Sequence, residues 1–305
     1  MLSINRILHP TDFSESAGDA FAYALDLAVS TGAALRVLHV VHGQEDYAAE
    51  THQNAQADEQ LLIRLREMAT GYVGALPSAV RDDLDLDYVL AEGRHAAPAI
   101  VEHAERHHAD LIVMGTHGRR GLRHLLLGSV AEEALRGASC PVVVVHRRES
   151  PLPVVRIVVP IDFSEHSHAA LVQAKHLAAL YNATLTMLFV AEEHTVPFFS
   201  DTGIPTFTLM KIDPDIVAKA GEALRQLDAH TAGPTVVTTY EVRNGQPPNE
   251  VIEYARANKT DLIVMATRGL TGVQRGMIGS VTERVVRAAP CPVWILNPTS
   301  EASIL

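Results

Sequence analysis

The chain writes one glycine-rich pattern twice, and that repetition limits its fold more than any other feature. The first copy reads Gly115-Thr-His-Gly118, nine residues, then Gly128-Ser129. The second reads Ala266-Thr-Arg-Gly269, nine residues, then Gly279-Ser280. Each follows a short apolar run and leads into a helix-like stretch. A strand, a glycine-rich loop and a helix N-terminus form an anion cradle, because backbone N–H groups and the helix dipole converge there. Simple turn glycines would also explain one such loop. The same spacing in the same context twice points to phosphate.

The duplication extends beyond the loops. Arg6-Ile-Leu-His-Pro-Thr-Asp12-Phe-Ser-Glu is matched by Arg156-Ile-Val-Val-Pro-Ile-Asp162-Phe-Ser-Glu, and residues 110–144 align with 261–295 without a gap. Between the copies, residues 147–153 are charged and proline-bearing, as a linker is. We therefore expect two domains, 1–149 and 150–305, in a chain of 305 residues, long enough for two cores. In the first, apolar runs predict strands at 6–9, 35–41, 84–90, 111–114 and 142–146. Helical periodicity falls at 16–31, 56–75, 97–107 and 129–137. The second repeats the order, with strands at 156–160, 184–190, 235–242, 262–265 and 293–296, and helices at 167–181, 215–232, 249–257 and 280–288. Continuous apolar strands alternating with helices predict an α/β fold. Each domain is then a five-stranded parallel, Rossmann-like sheet with helices on both faces. Such sheets bind ligands beyond the carboxyl ends of their strands, where the strand order switches. The glycine loops follow the fourth strand of each domain. Asp12 and Asp162 follow the first. The two motifs are expected to line one crevice.

Composition narrows the partners. A net charge of -11 and 5% aromatic residues disfavour a nucleic-acid face. No apolar run is long enough to span a bilayer. The N-terminus enters a strand without the form of a signal peptide, so a cytoplasmic location is the expectation. Cys140 and Cys291 occupy equivalent positions before a proline, without metal-ligand or CxxC spacing, and read as buried thiols entering a strand. Among 16 histidines, His103 and His107 are four apart, a spacing that could hold a metal, but an exposed polar helix end is the favoured reading. His166 and His168 flank a helix start, where capping and solvation suffice. Residues 192–214, apolar yet proline-bearing, have no counterpart in the first half and read as a lid, a subunit contact or a loop packed on its own domain.

Within the crevice, Ser129 heads a helix and can donate to phosphate. The cluster around Asp12 caps helices, yet a carboxylate at a strand end also suits a ribose or adenine group. Of Arg119, Arg120, Arg123 and His124 in the first half, and Arg268 and Arg275 in the second, one or two per half are expected to supply phosphate counter-charge, the rest being solvated. Phosphoryl transfer needs a base and usually metal carboxylates. Only Glu132 and Glu133 lie near, a turn into the helix, and no Walker lysine is present.

The pattern Gly-x2-Gly-x9-Gly-Ser, preceded by Asp-Leu-Ile-Val-Met and followed by a Cys-Pro-Val strand, resembles the universal stress protein (UspA) family. So does Pro-Thr-Asp-Phe-Ser-Glu after the first strand. The resemblance covers nearly the whole chain as two tandem domains. It implies adenine nucleotide alpha hydrolase-like folds, and the glycine loop implies the ATP-binding branch. By that resemblance Pro10, Thr11 and Asp12 lie near adenosine, and Val40 offers backbone contacts to adenine. Met114, Gly115, His117, Gly118, Gly128, Ser129 and Val130 line the phosphates. The second domain matches with Pro160, Ile161, Asp162, Val190, Met265, Arg268, Gly269, Gly279, Ser280, Val281 and Thr282. Three positions depart from the pattern. Ala266 replaces the first loop glycine, restricting the turn or crowding the phosphate. Ala131 stands where the second domain keeps the Thr282 hydroxyl. His117 replaces the commoner arginine. The expected sites are thus unequal, with the first stronger. The resemblance implies a regulatory or protective protein in stress response, binding ATP (or AMP or ADP) with Mg2+. A slow ATPase or other phosphoryl-transfer enzyme is the alternative, and an interaction scaffold with a decayed site is a third. The partners expected are adenine nucleotide, an intrachain pseudo-dimer joined through the last strands, and a homodimer as a further option.

Overall fold

Runs such as Leu111-Ile-Val-Met and Val142-Val-Val-Val carry no polar alternation, so both faces of each strand must be covered. The computed structural model satisfies this and buries both runs completely. It describes residues 4–41, 51–116, 127–146, 154–192, 195–199, 205–209, 214–267 and 278–297. The first half contains β1 (Arg6–Pro10), α1 (Glu15–Thr31), β2 (Ala34–Val41), α2 (Thr51–Gly74), α3 (Ser78–Asp82), β3 (Leu86–Glu92), α4 (Ala96–Arg106), β4 (Leu111–Gly115), α5 (Ser129–Gly137) and β5 (Val142–Val145). The second contains β6 (Arg156–Ile161), α6 (Glu165–Tyr181), β7 (Thr184–Ala191), β8 (Thr195–Phe199), β9 (Pro205–Leu209) and α7 (Pro214–His230). It continues through β10 (Thr238–Asn244), α8 (Pro247–Ala257), β11 (Leu262–Ala266), α9 (Ser280–Ala288) and β12 (Val293–Leu296).

Local chemistry explains the helix limits. Ser14 and Ser164 cap α1 and α6, each accepting from the backbone N–H three residues on. Gly32 ends α1 in the left-handed region at φ 72, and Asn182 does the same for α6 at φ 52.

In each half the parallel strands follow the order 3-2-1-4-5, so the strand order reverses between β1 and β4 and again between β6 and β11. Helices α1, α2, α6 and α7 cover one face through Phe21, Leu65, Leu171 and Leu224. Helices α4, α5, α8 and α9 cover the other through Ile100, Leu135, Val251 and Val285. The halves join edge to edge: β5 pairs antiparallel with β12, making one ten-stranded sheet. The register places Val143 opposite Trp294, its own counterpart in the repeat. The junction is therefore isologous, as in a two-fold dimer. This is the pseudo-dimer expected from the short, apolar terminal strands.

Three local features differ from the sequence expectations or were not among them. The third strand of each half lies at Leu86–Glu92 and Thr238–Asn244, later than hydrophobicity suggests. Pairing with β2 and β7 sets the limits, with Leu35 opposite Leu86 and Leu185 opposite Thr238. Helix α3 is short and buries no residue, so no apolar periodicity announces it. Within residues 192–214, β8 and β9 form an antiparallel hairpin, with Pro197 opposite Phe207. The remaining residues of that segment, apart from Glu192 and Pro214, lie outside the described ones, as does the linker at 147–153.

Candidate functional site

The reversal of strand order brings the two sequence motifs together. β1 and β4 are neighbours, so the turn after Pro10 and the turn after Gly115 emerge side by side. A Cβ placed on Gly115 would lie 2.5 Å from Ser16 Oγ and 2.7 Å from the Ser16 carbonyl oxygen. The glycine thus lets α1 approach the end of β4. The hydroxyls of Ser16 and Thr116 are 3.5 Å apart across this contact. Gly115 is absent from the residues with positive φ, and so is Ala266. Alanine in the second copy therefore faces no restriction on its turn; the difference between the copies is one of helix approach.

Both aspartates are engaged locally. Asp12 Oδ1 accepts from Ser14 N at 3.0 Å. Asp162 Oδ1 accepts from Ser164 N at 3.0 Å and from Ser164 Oγ at 2.6 Å. These Asx turns set the capping serines in place. The intervening residues, Phe13 and Phe163, have φ 65 and 62. This region is costly for bulky side chains and tends to occur at functional turns.

The far end of each loop is pinned to its near end. Gly128 N donates to Thr116 O at 2.7 Å, and Gly279 N to Thr267 O at 2.8 Å. Gly128 and Gly279 are the N-caps of α5 and α9, both extended, and neither supplies a side-chain cap. The first-turn N–H groups of a helix have no intrahelical acceptor, and here they face the switch point behind a glycine that offers them no side-chain cap. Ser129, Val130 and Ser280 are exposed there, and Val281 is half-buried.

The other expected residues fall around this frame. Met114 and Met265 are buried beneath it. Thr11 and Ile161 are buried beside Pro10 and Pro160 at the ends of β1 and β6. Val40 and Val190 lie near the ends of β2 and β7, opposite Ala91 and Arg243. Thr282 is buried and its hydroxyl donates to Ala266 O at 2.9 Å. That hydroxyl braces α9 against β11, and what Ala131 lacks is this brace. His117, Gly118, Arg268 and Gly269, with Arg119, Arg120, Arg123, His124 and Arg275, lie outside the described residues.

Two roles escaped sequence reasoning. Asp110 Oδ2 accepts from Asn5 N and Arg6 N, and Asp261 Oδ2 from Val155 N and Arg156 N. The first residue of Asp-Leu-Ile-Val-Met thus ties strands together at the end away from the site. The carbonyls of Thr116 and Thr267 close the glycine loops; the threonine shared by both copies is the signal that marks them.

Glu132 pairs with Arg136 at 2.5 Å and Glu283 with Arg287 at 2.7 Å, each along its own helix. Burial pushes the Cys140 thiol up to about 12, and Cys291 is buried as well. The His103 and His107 rings stack with centroids 4.2 Å apart. Among the described residues no group of three or more His, Cys, Asp or Glu could hold a metal ion. Nor is any described helix long and apolar enough to cross a membrane.

Comparison with known proteins agrees with this architecture. The model of the universal stress protein family matches twice, over residues 3–146 and 154–297. A universal stress protein of Methanocaldococcus jannaschii is 34% identical over 143 residues, which is 47% of this chain and 81% of that relative. One from Mycobacterium tuberculosis is 29% identical over 203 residues, 66% of this chain and 65% of the relative. The crystal structure of a universal stress protein from Archaeoglobus fulgidus superposes with a TM-score of 0.68 at 19% identity, covering 97% of this chain and 99% of that one, which is a likeness of fold.

Proposed function

The chain belongs to the universal stress protein family, and from that premise we propose that it binds an adenine nucleotide at the switch point of each half. The observation that carries this reading is the pair of helix N-termini, α5 and α9, that face the strand-order reversal behind a glycine cap with no side-chain acceptor. Backbone N–H groups so placed suit a phosphate chain, and the helix dipole adds to the attraction. Gly128 and Gly279 have ordinary φ values of −64 and −63. Backbone conformation does not require glycine there, whereas close approach of a phosphate does. Ser129 and Ser280 donate hydroxyls to the same oxygens. The loops carrying Asp12 and Asp162 face the nucleoside end. Mg2+ would accompany the phosphates.

Bound nucleotide acts as a regulatory signal by linkage in this reading, stabilising the conformation it binds and so serving a stress response. Titration calorimetry with ATP and AMP tests it directly. ATP at a hundredfold its Kd is expected to stabilise the fold by about 2.7 kcal/mol per site, read as a rise in melting temperature. Ser129→Ala is expected to weaken ATP more than AMP. Neither heat nor a melting shift with any adenine nucleotide overturns the proposal.

A further inference from the structure

The loop that carries Asp12 is held from behind by α2, and the loop that carries Asp162 has no such support among the described residues. In the first half the Arg64 guanidinium lies 4.3 Å from the centroid of the Phe13 ring. That ring packs on His39, with centroids 4.7 Å apart. His39 Nδ1 donates to Thr11 O at 2.8 Å. Thr11 Oγ1 accepts from Phe13 N at 3.1 Å and contacts Met68 Sδ of α2 at 3.6 Å. The left-handed residue between Asp12 and Ser14 is thus fastened by a cation above its ring, an imidazole beside it and a hydroxyl beneath its amide.

Among the described residues, the repeat changes each of these fastenings in the second half. Phe163 keeps the left-handed backbone, but Ile161 replaces Thr11 and has no hydroxyl. Phe189 replaces His39; its ring packs on Phe163 with centroids 5.2 Å apart and offers no hydrogen bond. Helix α7 packs on β10 as α2 packs on β3, yet it sends Arg225 over Tyr240. Phe163 is 41% exposed. Among the described residues no guanidinium stacks on it.

We propose that Arg64 is a positioning residue for the first nucleotide site: through Phe13 it holds the Asp12 loop in its binding shape. This rests on the nucleotide reading above. A turn held in an unfavourable backbone region relaxes when its supports are removed, and a loop that must be ordered by its ligand binds it more weakly.

The test uses the full chain with Arg64→Gln, which keeps an aliphatic stem and loses the cation, and Arg64→Lys, which keeps the cation. Hydrogen exchange without ligand is expected to show residues 12–16 protected. Arg64→Gln should loosen them and leave the sheet amides unchanged. Calorimetry with ATP is expected to show one site weakened by about two- to fivefold, the range of an exposed cation–π contact. Arg64→Lys should restore both readouts. Unchanged exchange in Arg64→Gln overturns the brace. Faster exchange throughout the chain also overturns it, because it reports general unfolding. Loosened exchange with unchanged ATP affinity reduces Arg64 to a structural role and overturns the positioning claim alone. A wild-type chain that takes no ATP overturns the functional reading and this inference with it, whatever the exchange shows.

Discussion

His9 stands in β1 where the repeat has Val159, on the same buried face. Its Nδ1 lies 2.9 Å from Val113 O, a carbonyl that can only accept, so Nδ1 carries the proton. Its Nε2 is buried without a hydrogen-bond partner among the described residues. Burial lowers its pKa from 6.5 to about 4, against smaller opposing effects from the Val113 hydrogen bond and the Asp12 charge. The folded state thus holds the neutral imidazole, and the unfolded chain takes up a proton first. Its contribution to stability is complete above pH 6.5 and is lost as pH falls towards 4. His9→Val, which copies the second half, is expected to flatten the acid limb in that window. Urea midpoints at several pH values check this, and an unchanged acid limb would contradict it. At this scale the sequence was legible in part. The capping chemistry around Asp12 and Asp162 was readable because Asx turns and caps act over two or three residues. The burial of His9 was not, since its neighbours Val113 and Phe21 come from other parts of the chain.

Elements meet most tightly where α1 crosses the end of β4. Gly115→Ala places a methyl group against the Ser16 backbone, which cannot rotate away as a side chain can. The helix must shift, at a cost of about 1–3 kcal/mol. Ala266 already carries a Cβ at the equivalent place, so Ala266→Gly is expected to cost no more than about 1 kcal/mol, mostly in backbone entropy. Denaturant unfolding of the two variants measures the contrast; equal losses would show that Gly115 is not set by helix approach. Element order and type were legible almost throughout, because apolar runs and helical periodicity are local patterns. Their limits were less so. β3 and β10 end where their partners end, and α3 lacks an apolar face. The hairpin of β8 and β9 hid in a proline-bearing segment, where Pro197 and Pro205 argue against strands.

Across the whole molecule the two halves share one sheet, and their junction is fastened by side chains from equivalent positions. Asn297 Nδ2 donates to Ala138 O at 2.8 Å and to Cys140 O at 2.9 Å in the other half. His146, its counterpart, donates from Nε2 to Val286 O at 2.7 Å. Asn297→Ala leaves buried carbonyls without this donor and is expected to cost about 2–3 kcal/mol. Trp294 is the single tryptophan and lies buried at the centre of the junction, so its emission reports the joint directly. We expect its unfolding curve to coincide with that of circular dichroism. An earlier transition at Trp294 would mean that the halves part before they unfold. The amino-acid sequence by itself determined the duplication, the α/β class, the strand-helix order and the loops that form the candidate site. Those features arise from spacing along the chain, which caps, turns and periodic burial read directly. The joining of the halves through their last strands was expected from the sequence too; only the tertiary structure decided the register that sets Val143 opposite Trp294, that Thr282 braces a strand end, and that Arg64 comes to lie over Phe13. Each of these depends on where distant segments return to one another. Packing and register across the sheet set that return, and no local pattern in the chain encodes it.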